Sequence, residues 1–153
     1  MAGLNLSITT EFGMKAPKTK IPGLKHTYST RDGRRWDIVK LWKLVRNVPS
    51  TTVDIDPIVE KDPAIRMFAF PKTGFDEFVA LKAKENPTKG LPAVTRSFEN
   101  HLVRVRGVDP VWAVILFNGV CVDGRHRIAR AIREGRKTIR ARCVTQAMMD
   151  ACE

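Results

Sequence analysis

Within VCVDGRHRIARAIREGRKTIRARCV (Val120 to Val144), an Asp-Gly turn at Asp123 and Gly124 is followed at once by Arg125, His126 and Arg127, ahead of a helix-like stretch. A helix start exposes backbone N–H groups with no partner in the helix and carries the positive end of the dipole, so it holds anions and disfavours cations. Three potentially cationic side chains there accept a repulsion of ~0.3–1 kcal/mol at a surface site. A bound phosphate reverses its sign. Glycine lets the backbone approach a ligand, and guanidinium forks match phosphate oxygens bidentately, so Gly124, Arg125, His126 and Arg127 form the candidate phosphate group. Arg127 is expected to be the principal ligand, its side chain leaving no core cavity if removed. A neutral His126 would hydrogen-bond a phosphate or ribose, whereas a protonated one would make binding weaken above pH ~6.5. Asp123 suits either an N-cap or a metal ligand. On spacing alone, a second reading stays open, in which the arginines are solvated and Asp123 caps and pairs locally.

The surrounding charge bears on the partner. Arg130, Arg133, Arg136, Lys137, Arg140 and Arg142 extend the positive surface and suit a nucleic-acid backbone. The whole chain of 153 residues holds 27 Lys+Arg against 16 Asp+Glu, a formal charge of +11, a signature of polyanion binding as well as of solubility. Nucleic acid, DNA before RNA, is the expected partner besides a nucleotide. A membrane is not expected, because no run approaches the ~20 apolar residues of a spanning helix. A protein partner or a second copy of the chain stays open. The start, MAGLNLSITTEFGMKAPKTK, lacks a basic region leading into an apolar one, so no secretory signal is read there. Cys121, Cys143 and Cys152 are odd in number and lack metal-ligand spacing, which argues for a reducing cytoplasm. Cys121 and Cys143 fall in apolar, strand-like runs and are expected as buried, inert thiols.

The elements that position the cluster follow from periodicity. Residues 1–35 mix Gly, Pro, Thr and Lys without period and are expected as a basic, extended arm before a single domain over 36–153. WDIVKLWKLVRNVP offers Asp37 as N-cap and Ile38, Leu41, Trp42 and Val45 on one helical face. TTVDIDPIV reads as a strand entering a turn at Pro57. A second helix is expected over GFDEFVALKAKEN, with Thr73 and Asp76 as a capping-box variant and Pro87 barring its continuation. Val94, Phe98, Leu102 and Val105 stripe a third helix, which ends at Gly107 and carries His101 as a surface or rim histidine. Val111 to Phe117 and Val120 to Val122 read as a hairpin through Asn118-Gly119. Ile128, Ala131 and Ile132 mark a fourth helix ending at Gly135, and Thr138 to Val144 alternates as a last strand. The class is α+β, a small mixed sheet packed by about four helices.

Leu102 to Val144 resembles the ParB/sulfiredoxin-like superfamily: a helix closed by Gly107, Val108-Asp109-Pro110-Val111 leading into a strand, an Asn-Gly hairpin, and a Gly-x-[His/Arg]-Arg turn opening a helix. The ParB turn runs Gly-Glu-Arg-Arg and the sulfiredoxin turn Gly-Cys-His-Arg, which sets Gly124, Arg125, His126 and Arg127 on their positions in order. In both groups this turn contacts nucleotide phosphates. The resemblance implies a stand-alone ParB-like domain that binds ATP or CTP with Mg2+ and hydrolyses the nucleotide or transfers its phosphate on or near nucleic acid. A ParB-like nuclease, a non-catalytic nucleic-acid-binding module and an interaction protein without nucleotide affinity stay open. Arg125 stands where sulfiredoxin has its cysteine, so sulfinic acid repair is not implied. No helix-turn-helix follows Val144, so centromere recognition is not implied either. Phosphotransferases of the superfamily place an acid after the first strand, where Asp54, Asp56, Glu60 and Asp62 cluster, and Glu60 is the candidate. Catalysis would fall to Glu60, Asp123 and His126, with Asp123 the metal-ligand candidate.

Overall fold

The computed structural model describes residues 27–29 and 33–153, so most of the arm expected over 1–35 lies outside the described residues. β1 (Thr27–Ser29) pairs antiparallel with β2 (Arg35–Asp37), setting Tyr28 opposite Trp36. Asp37 then caps α1 (Ile38–Val45), its Oδ1 accepting from the Lys40 backbone N–H at 3.1 Å. Such a cap is worth about 1 kcal/mol. Ile38, Leu41, Trp42 and Val45 are all buried, as the expected helical face requires.

β3 (Thr51–Asp54) is followed by α2 (Asp56–Lys61), where a turn was expected. Pro57 lies in the first turn of α2, where a missing N–H costs nothing and the fixed φ already suits a helix. α3 (Ala64–Ala69) was not anticipated. α4 (Pro71–Glu85) starts earlier than expected, and Phe70 rather than Thr73 is its N-cap, so the Thr73/Asp76 capping box is not made. α5 (Leu91–Gly107) buries Val94, Phe98 and Val105 as its stripe predicts.

β4 (Val114–Phe117) and β5 (Val120–Asp123) form the expected hairpin, with Asn118 at φ 51° and Gly119 at φ 78°. The first strand begins at Val114 and not Val111, because Asp109 Oδ1 accepts from the Val111 N–H at 3.0 Å and holds the preceding residues in a turn. α6 (Arg125–Arg133), β6 (Thr138–Cys143) and α7 (Gln146–Cys152) complete the chain. The four-stranded sheet runs β3-β6-β4-β5, with β4 antiparallel to β5 and parallel to β6. The fold is thus α+β, with seven helices among the described residues in place of about four.

The described residues divide into two compact units, one containing those up to Thr51 with Trp112–Asp123 and Arg140–Glu153, the other Thr52–Val111 with Gly124–Ile139. In the first, α1 and α7 bury Leu41, Trp42, Val45, Met149 and Cys152 together with Ile115, Val122 and Val144. Thr145 caps α7, accepting from the Met148 N–H at 3.2 Å. Arg142 Nη1 donates to the carbonyls of Arg46 (3.3 Å) and Val48, at the C-terminal end of α1. In the second unit, Phe68 of α3, Phe78 of α4 and Phe98 of α5 form an aromatic core, with ring centroids 5.1–6.0 Å apart. Arg130 Nη1 donates to the Val105 (3.3 Å) and Arg106 (2.8 Å) carbonyls, closing the C-terminal end of α5. Both arginines meet orphan carbonyls at the negative end of a helix dipole.

All three cysteines are free thiols; Cys121 and Cys152 are buried, but Cys143 is exposed, contrary to its expected burial. At that end of β6 the next residue, Val144, turns into the core instead. Among the described residues no helix is long and apolar enough to cross a membrane.

Candidate phosphate-binding site

α6 opens on a glycine. Its N-cap is Gly124, at φ 112° in the left-handed region, where an L side chain costs roughly 1–2 kcal/mol. The Gly124 carbonyl accepts from the Ile128 N–H at 3.0 Å, the first bond of the helical ladder. The amides of Arg125, His126 and Arg127 therefore occupy the first turn, which holds no acidic side chain. Asp123 is not the cap that the sequence suggested, because the turn is made by the glycine backbone one residue later. Its Oδ2 instead accepts from Trp42 Nε1 at 2.8 Å.

Arg125, half exposed, is gripped by an acid. Its Nη2 donates to Asp62 Oδ1 at 3.1 Å, its Nε stands 2.7 Å from Asp62 Oδ2, and its guanidinium lies 5.5 Å from the Phe68 ring centroid. The pair fixes the orientation of the guanidinium and offsets part of its charge. Arg127 differs from expectation: at 7% exposure it is buried. Its removal would empty core volume, contrary to the expectation that no cavity would be left.

His126 Nε2 lies 2.8 Å from His101 Nδ1. The His101 ring stacks on Phe68, centroids 4.2 Å apart and planes 15° apart, so this half-buried histidine, expected at the surface or rim, also joins the aromatic cluster. Burial, then the nearby charges of Arg125, Arg104 and Lys82, lower its pKa from 6.5 to about 4. His101 is thus neutral at pH 7.

Of the acids after β3, Glu60 is exposed on α2, and Asp56 lies 3.4 Å from Arg66. Asp62, at the end of α2, is the one that reaches the turn. Among the described residues no three His, Cys, Asp or Glu side chains gather into a group able to hold a metal ion. The basic residues also divide. Arg130 pairs with Glu134 at 2.9 Å, Arg136 with the same carboxylate at 3.2 Å, and Arg140 Nη2 donates to Ser50 Oγ at 2.6 Å. Arg133 and Lys137 are exposed.

The sequence marked Gly124, Arg125 and His126 but not the roles of Asp62, His101 and Phe68. These come from three other helices, and no local pattern ties them to the turn. No protein-family model, no curated protein and no solved structure matches the chain.

Proposed function

We propose that the chain binds a nucleotide, ATP or CTP with Mg2+, by its phosphates at the start of α6, and that it hydrolyses the nucleotide or passes on its phosphate on or near nucleic acid. The observation that carries this reading is the left-handed Gly124 cap directly before Arg125 and His126 on a half-exposed first turn. Backbone N–H groups, the helix dipole and a fork-shaped cation then converge on one anion. The likeness of this turn to that of the ParB/sulfiredoxin-like superfamily supports the same reading. Arg125 would neutralise phosphate charge, sharing its guanidinium between Asp62 and the ligand. Arg127 would brace the turn from inside. Among the three catalytic candidates, His126 alone lies on the first turn of α6. A magnesium ion would be held mainly by the nucleotide's own phosphate oxygens, as is usual for Mg2+, and no step here is assigned to it.

The second reading, a nucleic-acid-binding module or nuclease, is favoured by the +11 charge and by exposed Arg133 and Lys137. Isothermal calorimetry with ATP, CTP, GTP and ADP, each with magnesium, separates the two. Wild type should bind, and Arg125→Ala should lose at least about tenfold in affinity, the worth of one charge-assisted hydrogen bond. Equal affinity in the two proteins, or no binding by wild type, would replace this reading with the nucleic-acid module.

A further inference from the structure

Two histidines 25 residues apart in the chain bring Nδ1 of one and Nε2 of the other to 2.8 Å. At that separation a single proton lies between two nitrogens, and one of them must offer a lone pair. The pair can therefore be neutral or carry one positive charge, but two imidazolium rings cannot make this bond. Phe68 lies stacked against both rings, its centroid 4.2 Å from that of His101 and 6.0 Å from that of His126. Phe78 approaches His101 edge-on at 6.0 Å. The charges acting on His101 are Arg125 from α6, Arg104 from its own helix and Lys82 from α4, and Asp62 at the end of α2 is held by Arg125. Lys82 is paired in turn with Glu85 at 3.2 Å, so three cations stand against two acids and the surroundings resist a second proton.

We propose that His101 is a positioning residue for the phosphate site: through the Nδ1···Nε2 hydrogen bond it fixes which nitrogen of His126 carries the proton and holds that ring on the first turn of α6. This rests on the reading of the turn as a phosphate site. The chemistry leaves two arrangements. If the shared proton belongs to His101 Nδ1, then neutral His126 must carry its own proton on Nδ1. If it belongs to His126 Nε2, then His101 must carry its proton on Nε2. In both cases the two rings adopt the same tautomer, a relation that unlinked histidines need not obey. A locked ring presents a fixed donor or acceptor at the helix start, whereas a free one divides its population between tautomers and orientations and binds an anion more weakly.

Ring-nitrogen NMR of the 15N-histidine-labelled protein at pH 7, joined to calorimetry with ADP as the probe, tests this. Wild type should show His101 and His126 each in a single tautomer, and the same one. His101→Phe keeps an aromatic ring beside Phe68 but loses the hydrogen bond, so the His126 signals should move to tautomer-averaged positions and ADP affinity should fall by about three- to tenfold, the range of one ordinary hydrogen bond. His101→Asn, whose amide can place a polar atom near the position of Nδ1, should recover part of both. Averaged or opposite tautomers in wild type would overturn the proposal without recourse to any variant. So would unchanged His126 signals or unchanged ADP affinity in His101→Phe, provided that Arg125→Ala still weakens binding. Absence of ADP binding by wild type would overturn the phosphate reading and this proposal with it, whereas averaged tautomers with ADP binding intact would overturn this proposal alone.

Discussion

Arg125 and Arg127 stand two residues apart on α6, which places them roughly 200° apart around the helix. The first meets Asp62 and solvent; the second is buried. Their substitutions should therefore separate. Arg127→Ala removes a long side chain from the interior and should cost roughly 2 kcal/mol of stability in urea denaturation, whereas Arg133→Ala, on the exposed side, should stay within ~0.5 kcal/mol. Equal stability of the two variants would contradict the burial of Arg127. His101 adds a pH dependence. Its folded pKa of about 4 lies below the ordinary 6.5, so between those values the unfolded chain binds more protons than the folded one, and stability rises with pH. The contribution is complete above pH ~6.5 and is lost as pH falls toward ~4. Urea midpoints measured across that window should drop in wild type and drop less in His101→Phe; parallel curves would show that His101 titrates normally. The cationic turn itself was legible because residue types at a helix start carry their chemistry locally. Its partners were not, since Asp62 is 63 residues from Arg125 and His101 is 25 from His126. That pairing is a property of tertiary packing.

At the scale of elements, legibility followed length and punctuation. α1 has a capping aspartate, four apolar residues on one face and a proline beyond it, and the Asn-Gly hairpin carries its own turn signal. By contrast, α2 and α3 have six residues each and α7 has seven, too few turns for a helical period to stand out. This matters for the site, because α3 supplies Phe68 and the end of α2 supplies Asp62. α3 also packs very closely against α4. A Cβ added at Gly74 would lie 2.0 Å from the Met67 carbonyl oxygen and 2.7 Å from its Cα, and both obstacles are backbone atoms. Gly74→Ala must push the two helices apart, and should cost about 3 kcal/mol, the upper end of ordinary overpacking. Chemical denaturation checks this, and a variant as stable as wild type would mean that α3 and α4 do not approach as described.

Across the whole molecule, positive charge is not one uniform surface. Arg130 and Arg142 are spent on the carbonyl ends of α5 and α1, Arg136 pairs with Glu134 and Arg140 with Ser50, while Arg133 and Lys137 remain exposed. Composition showed the excess of cations but not how many are engaged within the fold. A polyanion held mainly by charge would spread over the exposed cations, with little local preference. A nucleotide held by the start of α6 would act on a few successive amides, because it is the backbone of that turn that receives the phosphate. Backbone amide NMR during titration with ATP and magnesium distinguishes these outcomes across all described residues at once. The amides of Gly124, Arg125, His126 and Arg127 should shift most and saturate with a single affinity. Shifts centred on Arg133 and Lys137, or no shift at the Gly124 turn at saturating ATP, would contradict the phosphate site.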